Sequence, residues 1–182
     1  MMNLYRGNVR IEVVNVVRSN VSAPTFPCRR VSLSVPCEDP RSLAMKWIEN
    51  RSADHWALIS GDSLASEIHG WVALEVLLRN QSRNTMKSNS MDGEFIRLLS
   101  GTHHIATSFK RAGLREGDKT AWMVDLSTAE DDEMFLQQAQ RMGFKLLDDR
   151  PHLEIFDSER LGIEGQKSED GAIGHIHLAD LR

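Results

Sequence analysis

The sequence predicts an α+β fold, a single domain in which a small mixed or antiparallel sheet packs against several helices. Three observations predict it. Short apolar or β-branched runs and longer stretches of helical periodicity both occur, yet they do not alternate in the uniform rhythm of a parallel βαβ sheet. Two strand-like runs, residues 8–17 and 31–35, follow each other early with only a proline-bearing loop between them. The 182 residues, 41% apolar and 26% charged, describe ordinary globular usage with length enough for one core.

Taken in order, residues 8–17 are β-branched and apolar, residues 19–30 carry prolines that forbid regular structure, and residues 31–35 alternate apolar and serine like a half-buried strand. Cys28 and Cys37 read as free thiols, because no second Cys or His pair at zinc spacing accompanies them. Pro40 suits the first turn of a helix reaching about residue 49, with Asp39 as its cap and Leu43, Met45, Trp47 and Ile48 as its apolar positions. Residues 55–59 form a short core strand. From 62 or 63 to about 79 a longer helix carries Leu64, Ile68, Trp71, Val72, Val76 and Leu78. A polar connector with Arg83 and Lys87 follows.

Two helix signatures then meet at one Ser-Gly corner. Met91, Phe95, Leu98 and Leu99 recur at helical spacing, and Gly101 falls where a left-handed helix end needs a residue without a Cβ. Thr102 caps the next helix, whose expected buried face is Ile105, Phe109 and Ala112, and Gly113 closes it with Leu114 folded back on Phe109. Beyond it, 119–126 is a strand, Thr128 caps a helix with Phe135, Ala139 and Met142 that Gly143 ends, 144–147 and 153–156 are two last strands, and 157–163 is a short helix. The domain is expected over 1–164. Residues 165–182 read as an extension: a polar linker, then an apolar edge strand or loose tail. On a strand, His175 and His177 would share a face at a spacing metals can use, but no third ligand is in view and no metal or cofactor is expected.

The corner is chemically pointed. His103 and His104 fall in the expected first turn, where unpaired amides and the positive dipole end favour an anion, and Lys110 and Arg111 add charge on the same helix. Histidines also stack on bases, so a flexible nucleic-acid end would suit the site. Polar first turns and basic last turns are equally ordinary helix chemistry. The formal net charge of -4 argues against a dedicated nucleic-acid-binding domain, so any RNA site must be local.

The pattern Glu94, an apolar run from Phe95 to Leu99, Ser100-Gly101, Thr102, His103, His104, Ile105, then Gly113, Leu114 and Gly117 resembles the TPRKB family, the small subunit of the KEOPS (EKC) complex that binds a PRPK-type kinase. That family carries Arg-Gln where this chain has His103-His104, which removes one permanent positive charge. The resemblance, in its archaeal form, implies a non-catalytic subunit of the complex that makes threonylcarbamoyladenosine on tRNA. It would bind the kinase-like ATPase and the tRNA 3′ CCA end. On that reading the RNA contacts are Lys87, Ser100, Gly101, Thr102, His103, His104, Ile105, Lys110 and Arg111. The apolar candidates for the partner are Leu161 and Ile163, which close a helix too short to bury them by itself; the alternative is that they cap the core.

Other functions find less support. Ser100 is not in G-x-S-x-G, no phosphate-cradling glycine loop occurs, and His103 and His104, being adjacent, project about 100° apart and cannot converge on one metal. Two readings stay open beside the first: a small enzyme acting on a phosphorylated metabolite with His103 or His104 as acid/base, and a pure adaptor without an RNA site. Lacking a membrane-length apolar run or a basic start followed by an apolar core, the chain is expected in the cytoplasm.

Overall fold

The computed structural model describes residues 24–128 and 131–181, so the expected strand at 8–17 lies outside them. Within them the expected α+β class is found. Strands β1 (Cys28–Ser32), β2 (Trp56–Ser60), β3 (Thr120–Asp125) and β4 (Lys145–Leu147) form one antiparallel sheet in the order β2-β3-β1-β4. Register pairs Val124 with both Cys28 and Ala57, and Ala121 with Val31, so side chains alternate strictly between two faces.

Both faces are covered, which is why β2 is buried along its whole length rather than on alternate residues. On one face Val31, Trp56, Leu58, Ala121 and Met123 meet Trp47 of α1 (Pro40–Asn50) and Phe135, Ala139 and Met142 of α5 (Asp132–Met142). On the other, Cys28, Ala57, Ile59, Trp122 and Val124 join a larger core. It is built by α2 (Glu67–Ser82), α3 (Met91–Leu99) and α7 (Glu169–Asp180), with α4 (Ile105–Ala112) and α6 (Ser158–Leu161) beside them. Cys28 and Cys37 are buried free thiols, and burial pushes the Cys28 thiol up to about 12.

Several boundaries differ from expectation, each for a local reason. α2 begins at Glu67 because the Ser66 hydroxyl accepts from the His69 amide at 3.0 Å. α5 is capped by Asp131, whose carboxylate accepts from the Glu133 and Met134 amides, while Thr128 sits in a turn at φ +66. Residues 153–156 form a turn, not a strand, that delivers Phe156 to the core.

The largest correction concerns the C-terminal segment, which is neither edge strand nor loose tail. Ser168 caps α7 by accepting from the Gly171 amide at 3.0 Å, and Ala172, Ile176 and Ala179 enter the main core. Helical geometry turns His175 inward and His177 to solvent, so the two imidazoles do not share a face. Among the described residues no three His, Cys, Asp or Glu side chains are grouped to hold a metal ion. None of the described helices is long and apolar enough to cross a membrane.

Candidate functional site

The Ser-Gly corner joins α3 to α4. Ser90 starts α3 by accepting from the Gly93 amide, and Ser100 ends it ahead of Gly101, which adopts φ +60 as the sequence requires. Space excludes a side chain there as firmly as backbone angle does: a Cβ on Gly101 would lie 2.3 Å from His175 Nε2. That ring nitrogen faces the Ser100 and Leu161 carbonyls at 2.9 and 3.1 Å. Two carbonyls can only accept, so Nε2 carries the hydrogen and the ring ties α7 to the ends of α3 and α6. Burial lowers the His175 pKa, the hydrogen bonds to Ser100 and Leu161 opposing only part of that effect.

Around this corner the expected RNA contacts divide. Ser100 is fully buried, its hydroxyl turned back to the Arg97 carbonyl. Arg111 also faces inward: its Nη1 donates to the Ser100 carbonyl at 3.0 Å, and its guanidinium lies where a Cβ on Gly162 would fall. It neutralises the negative end of α3 rather than projecting to a ligand. Thr102 and His103 are half-buried, and His104, Ile105 and Lys110 are exposed.

Helix α4 starts later than expected. Thr102 Oγ1 accepts from the His104 amide at 3.2 Å, which forms a turn instead of a cap, and His104 occupies the cap position without a side-chain hydrogen bond. His103 thus precedes the helix. The other end differs too: Gly113 is extended at φ -77, ψ 177, so the chain leaves α4 without a left-handed close. Only Ser108 and Ala112 of α4 are buried, while Ile105 and Phe109 are 38% and 42% exposed.

Lys87 is not beside the corner. It lies near the opposite end of α3, a nine-residue helix and so about 13 Å long. The Lys87 and Ser88 amides donate to Glu94 Oε2 at 3.1 and 3.0 Å, and Arg97 grips the same fully buried carboxylate through Nε and Nη2. The motif glutamate is therefore a structural anchor that folds the 87–88 connector onto α3. Burial alone would raise its pKa, but the Arg97 and amide hydrogen bonds outweigh burial and hold it below the usual carboxylate range.

The Lys87 side chain lines an open pocket of about 440 Å³ together with Arg79, Arg83, Arg97 and Asp180. Asp180 pairs with Arg79 and accepts from Asn80, whereas the Arg83 and Lys87 side chains have no carboxylate partner among the described residues. With Arg79 paired to Asp180 and Arg97 to Glu94, Arg83 and Lys87 are the two charges in excess and make this a cationic basin. Periodicity gave no sign of it beyond Arg83 and Lys87, because Arg79 and Asp180 meet only when α7 packs on α2.

Of the two expected partner contacts, Leu161 is fully buried and Ile163 packs partly against the core, the arrangement that fits a core cap. Besides Ile105, apolar side chains that do face solvent are Phe109 of α4 and Ile48 of α1, 42% and 55% exposed. They line a groove of about 650 Å³ between α1 and α4. A family model described as Kinase binding protein CGI-121 matches residues 37–148, from the approach to α1 through β4. No curated protein matches the chain.

Proposed function

Because the chain belongs to the CGI-121 family of kinase-binding proteins, we propose that it is a non-catalytic subunit of the KEOPS complex, binding a PRPK-type kinase/ATPase and presenting the tRNA 3′ CCA end for threonylcarbamoyladenosine synthesis. The observation that carries the reading is the family match itself, which spans the Glu94, Ser100-Gly101 and Gly113-x-x-x-Gly117 pattern. RNA binding draws its support from two features at either end of α3. At one end the accessible atoms of Thr102, His103, His104 and Ile105 offer stacking and hydrogen bonding to an unpaired base. At the other, Arg83 and Lys87 offer phosphate contacts in a basin otherwise closed by Arg79 and Arg97.

Filter binding of intact tRNA against tRNA lacking its CCA end tests this. Intact tRNA should bind more tightly, with a log–log salt slope of about two to four, since each phosphate contact contributes roughly 0.7 to 0.9. His103→Ala combined with Lys87→Ala should lower affinity about tenfold at fixed salt. Equal affinity for the two tRNAs would remove the CCA end from the reading and leave a pure kinase adaptor.

A further inference from the structure

We propose that the groove between α1 and α4 is the seat of the kinase partner, and that it takes an amphipathic helix with an apolar stripe and an acidic flank. The occupant rests on the kinase-binding reading; the place and its chemistry rest on the groove. One wall is a continuous face of α1, on which Pro40, Ala44, Ile48 and Arg51 recur at three- and four-residue steps, with Arg41 beside Pro40. The opposite wall is Phe109 with Leu114, and Leu58 and Ile96 supply the floor.

Leu58 and Ile96 belong to the core, but Ile48 and Phe109 have no reason within this fold to be apolar. α1 is held to the sheet by Trp47, at 3% exposure, and its other side meets α5, so Met45 and Ile48 could be polar without cost to the core. Likewise Ser108 and Ala112 pack α4, which leaves Phe109 and Ile105 turned outward. An unpartnered apolar row on α1, faced across the trough by Phe109 of α4 and Leu114 just after it, forms the receptor half of a helix-in-groove contact. α1 is 11 residues, about 16 Å, which matches roughly three turns of an incoming helix.

Charge sets the chemistry of the flank. The single carboxylate lining the trough, Asp92, is already held by Arg51 Nη1 at 2.8 Å, and that nitrogen also donates to the Trp56 carbonyl. Arg41 on the α1 wall and Lys110 at the mouth are exposed and make no ion pair among the described residues. Arg115 joins Lys110 at the mouth against one exposed carboxylate, Glu116, so the rim is net cationic around an apolar trough. An acidic flank on the ligand helix complements it, and a basic one would be repelled.

The test is calorimetric titration of the full-length chain with the PRPK-type kinase encoded by the same genome. Ile48→Glu and Phe109→Glu should each weaken binding about thirtyfold or more while the melting temperature stays at the wild-type value, because both side chains are already wet. Arg41→Glu should weaken it less, chiefly through a slower, salt-sensitive association. Leu136→Glu places the same charge on an exposed apolar residue outside the groove and should bind normally. If the wild-type chain binds the kinase and all the groove variants bind it equally well, the groove assignment is overturned and the kinase-binding reading stands. Should the wild type itself fail to bind, that reading falls, and the occupant with it. A shift from dimer to monomer in sedimentation of Ile48→Glu would give the groove to a second copy of this chain, and a loss of tRNA affinity with kinase binding intact would give it to RNA; either result overturns the proposal.

Discussion

Glu94 gives the clearest account of a motif residue whose role is architectural. Its carboxylate and the Arg97 guanidinium are both nearly inaccessible, at 0% and 1% exposure, and the arginine's remaining Nη1 donates to the Ala179 carbonyl at 2.7 Å. Removing one partner strands the other charge in a medium that solvates it poorly. Glu94→Gln should therefore cost about 3–5 kcal/mol in urea unfolding, and Glu94→Gln with Arg97→Met should be less unstable than the sum of the single changes. A midpoint for Glu94→Gln near that of the wild type would show that the pair contributes little. Two buried histidines act on stability through pH. Burial, with His175 nearby, pushes the His69 pKa down to about 3, and its Nδ1 accepts from the Ala65 amide at 3.2 Å, so the neutral ring is the folded form. Between an unfolded value of about 6.5 and the folded one, the unfolded chain binds the extra proton. Stability is then full above about 6.5 and falls as pH drops below it, and urea midpoints measured from pH 7 to 4 should decline. The decline should be shallower in His69→Gln, with the lowered His175 leaving a residue of it.

At the scale of elements, α7 is the piece whose sequence context disguised it. Its polar lead-in reads as a linker and its His-x-His as a strand, yet Ala172, Ile176 and Ala179 sit at helical steps and find α2 and α3 to pack on. The helix completes the core, the Glu94-Arg97 cage and the His175 tie at once. A chain ending at residue 164 should expose that apolar surface, and we expect it to melt at least about 10 °C lower or to aggregate, as a loss of several kcal/mol implies. Ile176→Asp in the full chain should reproduce the effect, and a truncated chain with unaltered melting would place α7 outside the cooperative unit. α4 shows the converse. Its expected buried face is split: Ala112 does lie inside, together with Ser108, whereas Ile105 and Phe109 face solvent.

For the whole molecule, a sheet covered on both faces leaves function to the rims of the helical layers. The groove is walled by α1 and α4 and the cationic basin by the ends of α2 and α7, while α3 contributes Ile96 to the first and Arg97 to the second. A protein built this way should act by holding partners together. The purified chain alone should release no phosphate from ATP, measured against a mock preparation, and a turnover that His103→Ala abolished would restore the small-enzyme reading.

The sequence by itself determined the elements that local chemistry encodes. Asp39 with Pro40 starts α1, Gly101 ends α3, Gly143 ends α5 at φ +72, and the continuous run at 55–59 is a core strand, one residue out of step with β2. It determined the family as well, because the spacing from Glu94 through Gly117 is carried by those same local signals. What only the tertiary structure decided is direction. Whether Phe109 or Leu161 lies inside, whether Arg111 reaches solvent or the Ser100 carbonyl, and whether Arg79 meets Asp180 all depend on which helices arrive from distant parts of the chain. An apolar stripe records that a surface must be covered, and a cation that a charge must be matched. Neither records the partner, since burial and charge pairing are satisfied equally by the chain's own elements or by another molecule.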